Sequence, residues 1–433
     1  MATSDPWSYF CQMERNQGLV AKVAALPAFR ALHYRDFRLL WLGAFLSFTG
    51  SMVQNVAQQD LVLEMTGSRA QLAMVTFAMM LPVSVLGPIL GVAADMYDKK
   101  KLLVACMLVS AVGPLFLGIA EAFHFAQYWM FICVASIAGT VQCVEVPTRQ
   151  SIVRSVVAER DLAAAIPAQA STFNLARVVG PSIAVTIILA FGPEFCFWAN
   201  ALSYFALAYA AWILKTDLKP EGRRVEPIKD LVMEGFRYTF RDRGLRTLFL
   251  MESATAVFGT FYMSQMSAIA KQHLGLGKEG LNLAFTSVGI GALLGLLTTA
   301  SLSSKPWKPF LVRTAMVLMA TGIIVLAFVQ TPWVAYLVLA LTGACTIVQF
   351  NTTNTLFQLM SPPNLRGRVI SMHMWAISGV APLGVFFFGY VSEWWGISAA
   401  LLTGGACLAV AAVWAQTQKQ FVREPRFEEP GAV

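Results

Sequence analysis

Apolar stretches of about 20 residues recur along the chain and are broken by short polar segments. A run of that length matches the ~30 Å hydrocarbon thickness of a bilayer at ~1.5 Å rise per residue. The pattern predicts helices over 38–63, 71–94, 102–121, 127–147, 164–191, 194–214, 246–270, 280–300, 309–330, 332–358, 369–392 and 397–417. The runs do not alternate in polarity, which argues against the strands of a membrane barrel. The expected fold is therefore all-α, with twelve transmembrane helices.

Basic residues between these runs fall on alternate sides. Of the 32 Lys and Arg, 28 lie on the side that carries the N-terminus, 3 (Arg69, Lys271 and Lys278) on the other, and Arg177 inside a helix. Positive charge marks the cytoplasmic face, so both termini are expected there. The boundaries divide into a cytoplasmic extension 1–37, a six-helix bundle 38–214, a linker 215–245, a second bundle 246–418 and a tail 419–433. In the linker, Ile228, Leu231, Val232, Phe236 and Phe240 recur at helical spacing, which predicts a basic amphipathic helix on the cytoplasmic surface.

The two halves repeat. Phe37 to Leu42 matches Leu245 to Leu250 at an offset of 208, Gly87 to Gly91 matches Gly291 to Gly295 at 204, and Val179-Gly180-Pro181 matches Val380-Ala381-Pro382 at 201. Internal symmetry of this kind builds midplane cavities that open alternately to each side. After the second span the loop reads Gly91-Val-Ala-Ala-Asp95-Met96-Tyr97-Asp98-Lys99-Lys100-Lys101. With it the chain resembles the major facilitator superfamily over all twelve helices. Pro147-Thr-Arg149-Gln150, Asn174-Leu-Ala-Arg177-Val-Val-Gly180-Pro181 and Leu365-Arg366-Gly367-Arg368-Val369 are similar to the branch that includes the bacterial enterobactin exporter.

The resemblance implies a secondary transporter of the bacterial cytoplasmic membrane whose halves rock around a central cavity. It also implies a gating motif of Gly91, Asp95, Asp98, Lys99, Lys100, Arg149, Gly180, Pro181, Arg366 and Arg368, in which Asp95 locks onto a helix N-terminus near Val369. The chain departs from the pattern in four places. Met96 stands where a basic residue is usual, the second-half copy of the loop (Ser301 to Pro309) has no acid, Gly180-Pro181 is followed by Ser-Ile-Ala-Val where small residues and paired glycines are usual, and the expected fourth span carries no arginine.

Composition narrows the function. Only 13% of residues are charged against roughly 25% in soluble domains, and the +8 net charge sets topology rather than nucleic-acid binding. Seven scattered cysteines and four histidines have no metal-ligand spacing, so neither a cofactor nor a metal is expected, and no enzymatic constellation stands out. There is no cleavable signal pattern and no Gly-x-x-x-x-Gly-Lys-Ser/Thr loop, so the expected driving force is a proton gradient rather than ATP. The expected partners are a small-molecule substrate, amphipathic or anionic, and membrane lipids. The rival readings are a lipid or lysolipid flippase, and a membrane scaffold that docks a protein partner through the apolar residues of 1–36.

Candidate substrate or coupling residues are the polar groups inside spans: Asp60, Glu145, Asn174, Arg177, Glu252, Gln349, Asn351 and Asn354. Charged groups at that depth are expensive unless paired or wet, so each needs a partner or a cavity. Arg177 should face the cavity or a carboxylate. Asn174 shares its face one turn earlier. Glu145 is placed for an i,i+4 ion pair with Arg149. Asn351, Asn354 and Gln358 form one stripe on the tenth span, expected to line a wet cavity. His124 and His373 are read as ordinary residues.

Overall fold

The computed structural model describes residues 31–90, 96–218, 228–302, 306–362 and 365–422. Gly91, Asp95 and nearly all of the N-terminal extension lie outside them. Long helices dominate the described residues. The first half holds α1 (Arg35–Thr66), α2 (Arg69–Leu90), α3 (Lys99–Ala122), α4 (Tyr128–Val156), α5 (Leu162–Ala190) and α6 (Glu194–Trp212). The amphipathic helix of the linker is α7 (Ile228–Arg241). The second half holds α8 (Arg243–Ala254), α9 (Lys278–Ser301), α10 (Lys308–Leu326), α11 (Pro332–Met360), α12 (Arg366–Ser378), α13 (Ala381–Trp395) and α14 (Ile397–Thr417). Among the described residues ten segments are long and apolar enough to cross a membrane, with Arg366–Trp395 taken as one. Glu194–Trp212 and the seventh expected span are outside that ten. The helices also turn large apolar side chains outward, such as Leu202 at 70% and Val410 at 72% exposure, as lipid-facing surfaces do.

Three expected spans have different bounds. The fourth continues through Val156, which brings Arg149 and Arg154 into the helix. The seventh is not one helix: α8 gives way to a π turn (Thr255–Gly259), a 3-10 turn (Phe261–Gln265), one α turn and a second π turn (Ile269–His273). Changes of register like these redirect backbone carbonyls, and Met263 O accepts a hydrogen bond from Gln59 Nε2 of α1 at 3.1 Å. The eleventh breaks between Ser378 and Ala381. Pro382 has no N–H to offer the carbonyl of Ser378, four residues back, and its ring crowds that carbonyl. Ser84 Oγ of α2 donates to it instead, at 3.1 Å.

Pro181, 201 positions before Pro382, does the same in the first half. It has no N–H for the Arg177 carbonyl, and that carbonyl lies against Gly289 of α9, where a Cβ would meet it at 2.7 Å. The two seams between the halves, α5 on α9 and α2 on α13, are therefore built around equivalent prolines. Within each half the pattern also repeats. Gly139 of α4 lies against the Met79 carbonyl of α2, and Gly343 of α11, 204 positions later, lies against the Val288 carbonyl of α9. Small residues of this kind let membrane helices approach closely.

Candidate functional site

Glu252 sits nine residues into α8 and has no exposed surface. At ~1.5 Å per residue it lies about 14 Å from the start of that helix. Its Oε2 is 2.7 Å from Nδ1 of His373 on α12, a residue 2% exposed. Its Oε1 is buried with no hydrogen-bond partner among the described residues. The His373 ring packs against Phe357 of α11, with centroids 5.6 Å apart. One turn above Glu252 on α8 and α11, Gln349 Nε2 donates to Thr255 Oγ1 at 2.5 Å. At this distance the carboxylate oxygen and the ring nitrogen are hydrogen-bonded partners, so the acid is not left alone in the apolar interior. Sequence reading named Glu252 and passed over His373. The available signal was that an acid inside one span calls for a titratable partner inside another.

Arg177 contrasts with it. It lies 15 residues into α5, about 22 Å along a helix of about 43 Å. Its Cζ is 5.4 Å from the centroid of the Phe173 ring. Among the described residues no carboxylate pairs with its guanidinium and nothing accepts a hydrogen bond from it. An arginine at the centre of a membrane helix costs about 2.5–3.5 kcal/mol on insertion scales. A cation–π contact returns roughly 0.5–2 kcal/mol, which leaves the charge under-compensated. Phe173 stands edge-on to Phe48 of α1 at 5.3 Å, and Phe48 lies under Arg149 at 4.7 Å. Arg149, unlike Arg177, is neutralised: its Nε donates to Glu145 Oε1 at 2.6 Å, forming the expected i,i+4 pair. One turn before Arg177, Asn174 Nδ2 donates to the Ala170 carbonyl at 3.2 Å, while its buried Oδ1 has no partner among the described residues.

At the end of the molecule that sequence reading places outside, all three basic residues bridge the halves. Lys271, after the broken seventh span, pairs with Asp60 of α1 and, at 2.8 Å, with Glu64. Lys278 lies 3.9 Å from Asp60. Arg69 donates from Nη1 to Ser392 O at 2.7 Å and from Nε to Gln272 Oε1 at 2.6 Å. Glu393 of α13 caps α2, accepting from the Arg69 N–H at 2.7 Å, where a carboxylate also meets the positive end of the helix dipole. Desolvation lowers the Lys271 ammonium, but Asp60 and Glu64 outweigh it and hold it above its ordinary range. Lys271 therefore stays charged at neutral pH. The exposed pair of Lys271 with Glu64 is worth about 0.2–1 kcal/mol, whereas the Asp60 carboxylate that Lys271 also meets is buried.

The sequence profile of the family described as transmembrane secretion effector matches residues 27–429. The chain belongs to this family. It is 22% identical to the staphyloferrin A transporter of Staphylococcus aureus, over 82% of this chain and 89% of that protein. It is 24% identical to the multidrug efflux pump Tap of Mycobacterium tuberculosis, over 84% and 88%. A solved bacterial homologue of the human lysosomal transporter Spinster, inward-facing and unoccupied, superposes with a TM-score of 0.71 at 14% identity over 90% of this chain and 98% of that one, which shows a shared fold. The protein is a multi-pass major facilitator transporter, and its relatives transport rather than catalyse.

The remaining predicted positions of this secretion-effector chain fall into place as follows. Asp98 is the N-cap of α3, and its Oδ1 accepts from the N–H groups of Lys100 and Lys101 at 2.9 and 3.2 Å. The Lys99 N–H donates to Leu218 O at 3.1 Å, and Lys100 Nζ donates to Leu214 O at 3.0 Å, so both hold the linker's first residues. Gly180 and Pro181 are buried in α5, where a Cβ at Gly180 would come within 3.3 Å of the Thr49 carbonyl of α1. Arg366 is exposed, whereas Arg368 pairs with Glu234 of α7. Gln349 is fully buried, and Asn351 and Asn354 are half-buried. Asn354 Oδ1 accepts from Gln358 Nε2 at 3.1 Å, a bond within the helix itself.

Proposed function

We propose that the protein is a secondary active exporter of small amphipathic or anionic molecules, driven by protons and working by alternating access in the bacterial cytoplasmic membrane. In this reading twelve spans form two six-helix bundles, 38–214 and 246–418, joined by 215–245, with both termini cytoplasmic. The broken seventh and eleventh segments supply the bend that a rocking motion needs. The outer ion pairs of Asp60, Glu64, Arg69 and Glu393 form the gate that must part when substrate leaves. The residues Asp95, Asp98, Lys99, Lys100, Arg366 and Arg368 serve the inner side.

The observation that carries proton coupling is the buried Glu252–His373 pair. It joins the two broken segments of the second half, α8 and α12, so its protonation bears on elements that must move. Losing or gaining one proton changes the charge of a water-poor site, which shifts the balance between two conformations. The pair is also within reach of the inner surface, which gives protons a short path.

The test compares small molecules inside and outside cells with and without the gene by untargeted mass spectrometry. It is repeated for Glu252→Gln and with a protonophore. The expected result is a compound retained by the deletion strain, by the variant and by protonophore-treated cells. Export that survives the protonophore overturns proton coupling. Altered phospholipids with no change in small molecules replace the exporter by a flippase.

A further inference from the structure

We propose that Arg177, Phe173 and Phe48 form a binding subsite for the acidic group and ring of an aromatic organic anion. The proposal rests on the exporter reading and specifies its substrate class. It starts from a row of groups that is neutralised at one end only. Glu145, Arg149, Phe48, Phe173 and Arg177 follow one another from α4 across α1 to α5, at 2.6, 4.7, 5.3 and 5.4 Å. Arg149 has its carboxylate in Glu145, and among the described residues Arg177 has none.

Three further observations point to a ligand rather than to a strut. Arg177 is partly buried, and among the described residues its five N–H donors have no hydrogen-bond acceptor beside the Phe173 ring. Asn174, on the same face one turn earlier and 6% exposed, carries the unpartnered buried Oδ1. Arg177 also stands at the seam between the halves. Its carbonyl touches Gly289 of α9, and Tyr262 of the broken seventh segment is its electrostatic neighbour. A ligand held there would contact both moving halves.

The chemistry selects the ligand. A guanidinium with free donors takes a carboxylate or phosphate through two parallel hydrogen bonds. Phe173 and Phe48, already edge-on to each other, offer faces and edges to a third ring. The Asn174 Oδ1 accepts one hydrogen bond from a hydroxyl or amide on the same molecule. A cationic drug would meet an unpaired like charge and is disfavoured at this position.

The test uses the full-length protein in neutral detergent, with 2-naphthoate and the uncharged 2-naphthamide as probes, followed by calorimetry. The wild type should bind naphthoate at least about tenfold more tightly than naphthamide. Arg177→Gln should weaken naphthoate by about 10- to 100-fold, the range of a lost charge-assisted hydrogen-bonded pair, and Phe173→Leu by several-fold. Arg177→Gln should melt no lower than the wild type, because it removes an uncompensated charge. Naphthoate binding that is unchanged in Arg177→Gln overturns the subsite, and so does equal binding of the amide. Arg177-dependent binding of lysophosphatidylglycerol without binding of naphthoate also overturns it, in favour of a lipid headgroup. Export that persists while naphthoate binding ignores Arg177 sinks the subsite alone. Arg177-dependent binding without protonophore-sensitive export sinks the exporter reading alone.

Discussion

The second half holds a closed acid–imidazole pair, and the first half holds, beside the paired Glu145 and Arg149, an arginine built on the opposite plan. In the second half Glu252 meets His373 at 2.7 Å, with both side chains closed off. In the first half Arg177 meets a ring, and among the described residues no carboxylate pairs with it. The arginine cannot lose its proton, so its charge is balanced only by something that arrives. The proposed proton site and the proposed anion subsite thus lie in different halves, and the outer ion pairs join those halves.

The largest expected effect breaks the paired site. Glu252→Ala strands His373 in a buried place and should destabilise the protein by about 3–5 kcal/mol, measured by unfolding in a detergent titration. A loss below about 1 kcal/mol would mean that the pair is not a closed unit. Next, Glu145→Gln makes Arg149 resemble Arg177, and should cost about 1.5–3 kcal/mol, the worth of a hydrogen bond to a charged group. The same unfolding assay reads it. Arg177→Gln should move the other way and stabilise by about 0.5–3 kcal/mol, the difference between the insertion penalty and the cation–π return. A destabilised variant would give Arg177 a structural partner and end the contrast. The smallest effect concerns the gate. Lys271→Gln should favour separation of the outer tips by about 1 kcal/mol, roughly fivefold in population. Distances between spin labels at Glu64→Cys and Glu279→Cys would record it, and an unchanged distribution would remove Lys271 from the gate.

Much of the architecture was legible in the chain because its determinants are local. Span length is set by bilayer thickness, so the apolar runs marked most helices to within a few residues, from Arg35–Thr66 to Ile397–Thr417. The amphipathic helix Ile228–Arg241 and the Glu145–Arg149 pair follow from helical periodicity, which a sequence carries by itself. The repeat was visible as offsets near 204, and Gly139 with Gly343 and Pro181 with Pro382 show why those offsets persist: each places a backbone carbonyl at a helix contact.

The sequence by itself determined a chain of repeated membrane-length apolar runs and the list of polar groups inside them that would need partners. Only the tertiary structure decided which partners they have. Glu252 and His373 are 121 positions apart, and their meeting depends on the depth and rotation of α8 and α12. Those are set by packing, since each residue turns a helix by about 100° and raises it by only ~1.5 Å. The same holds for the breaks in the seventh and eleventh segments, for the solitude of Arg177, and for the outer basic residues, which look like exceptions to a charge rule until the fold brings the halves together at Asp60, Glu64 and Glu393.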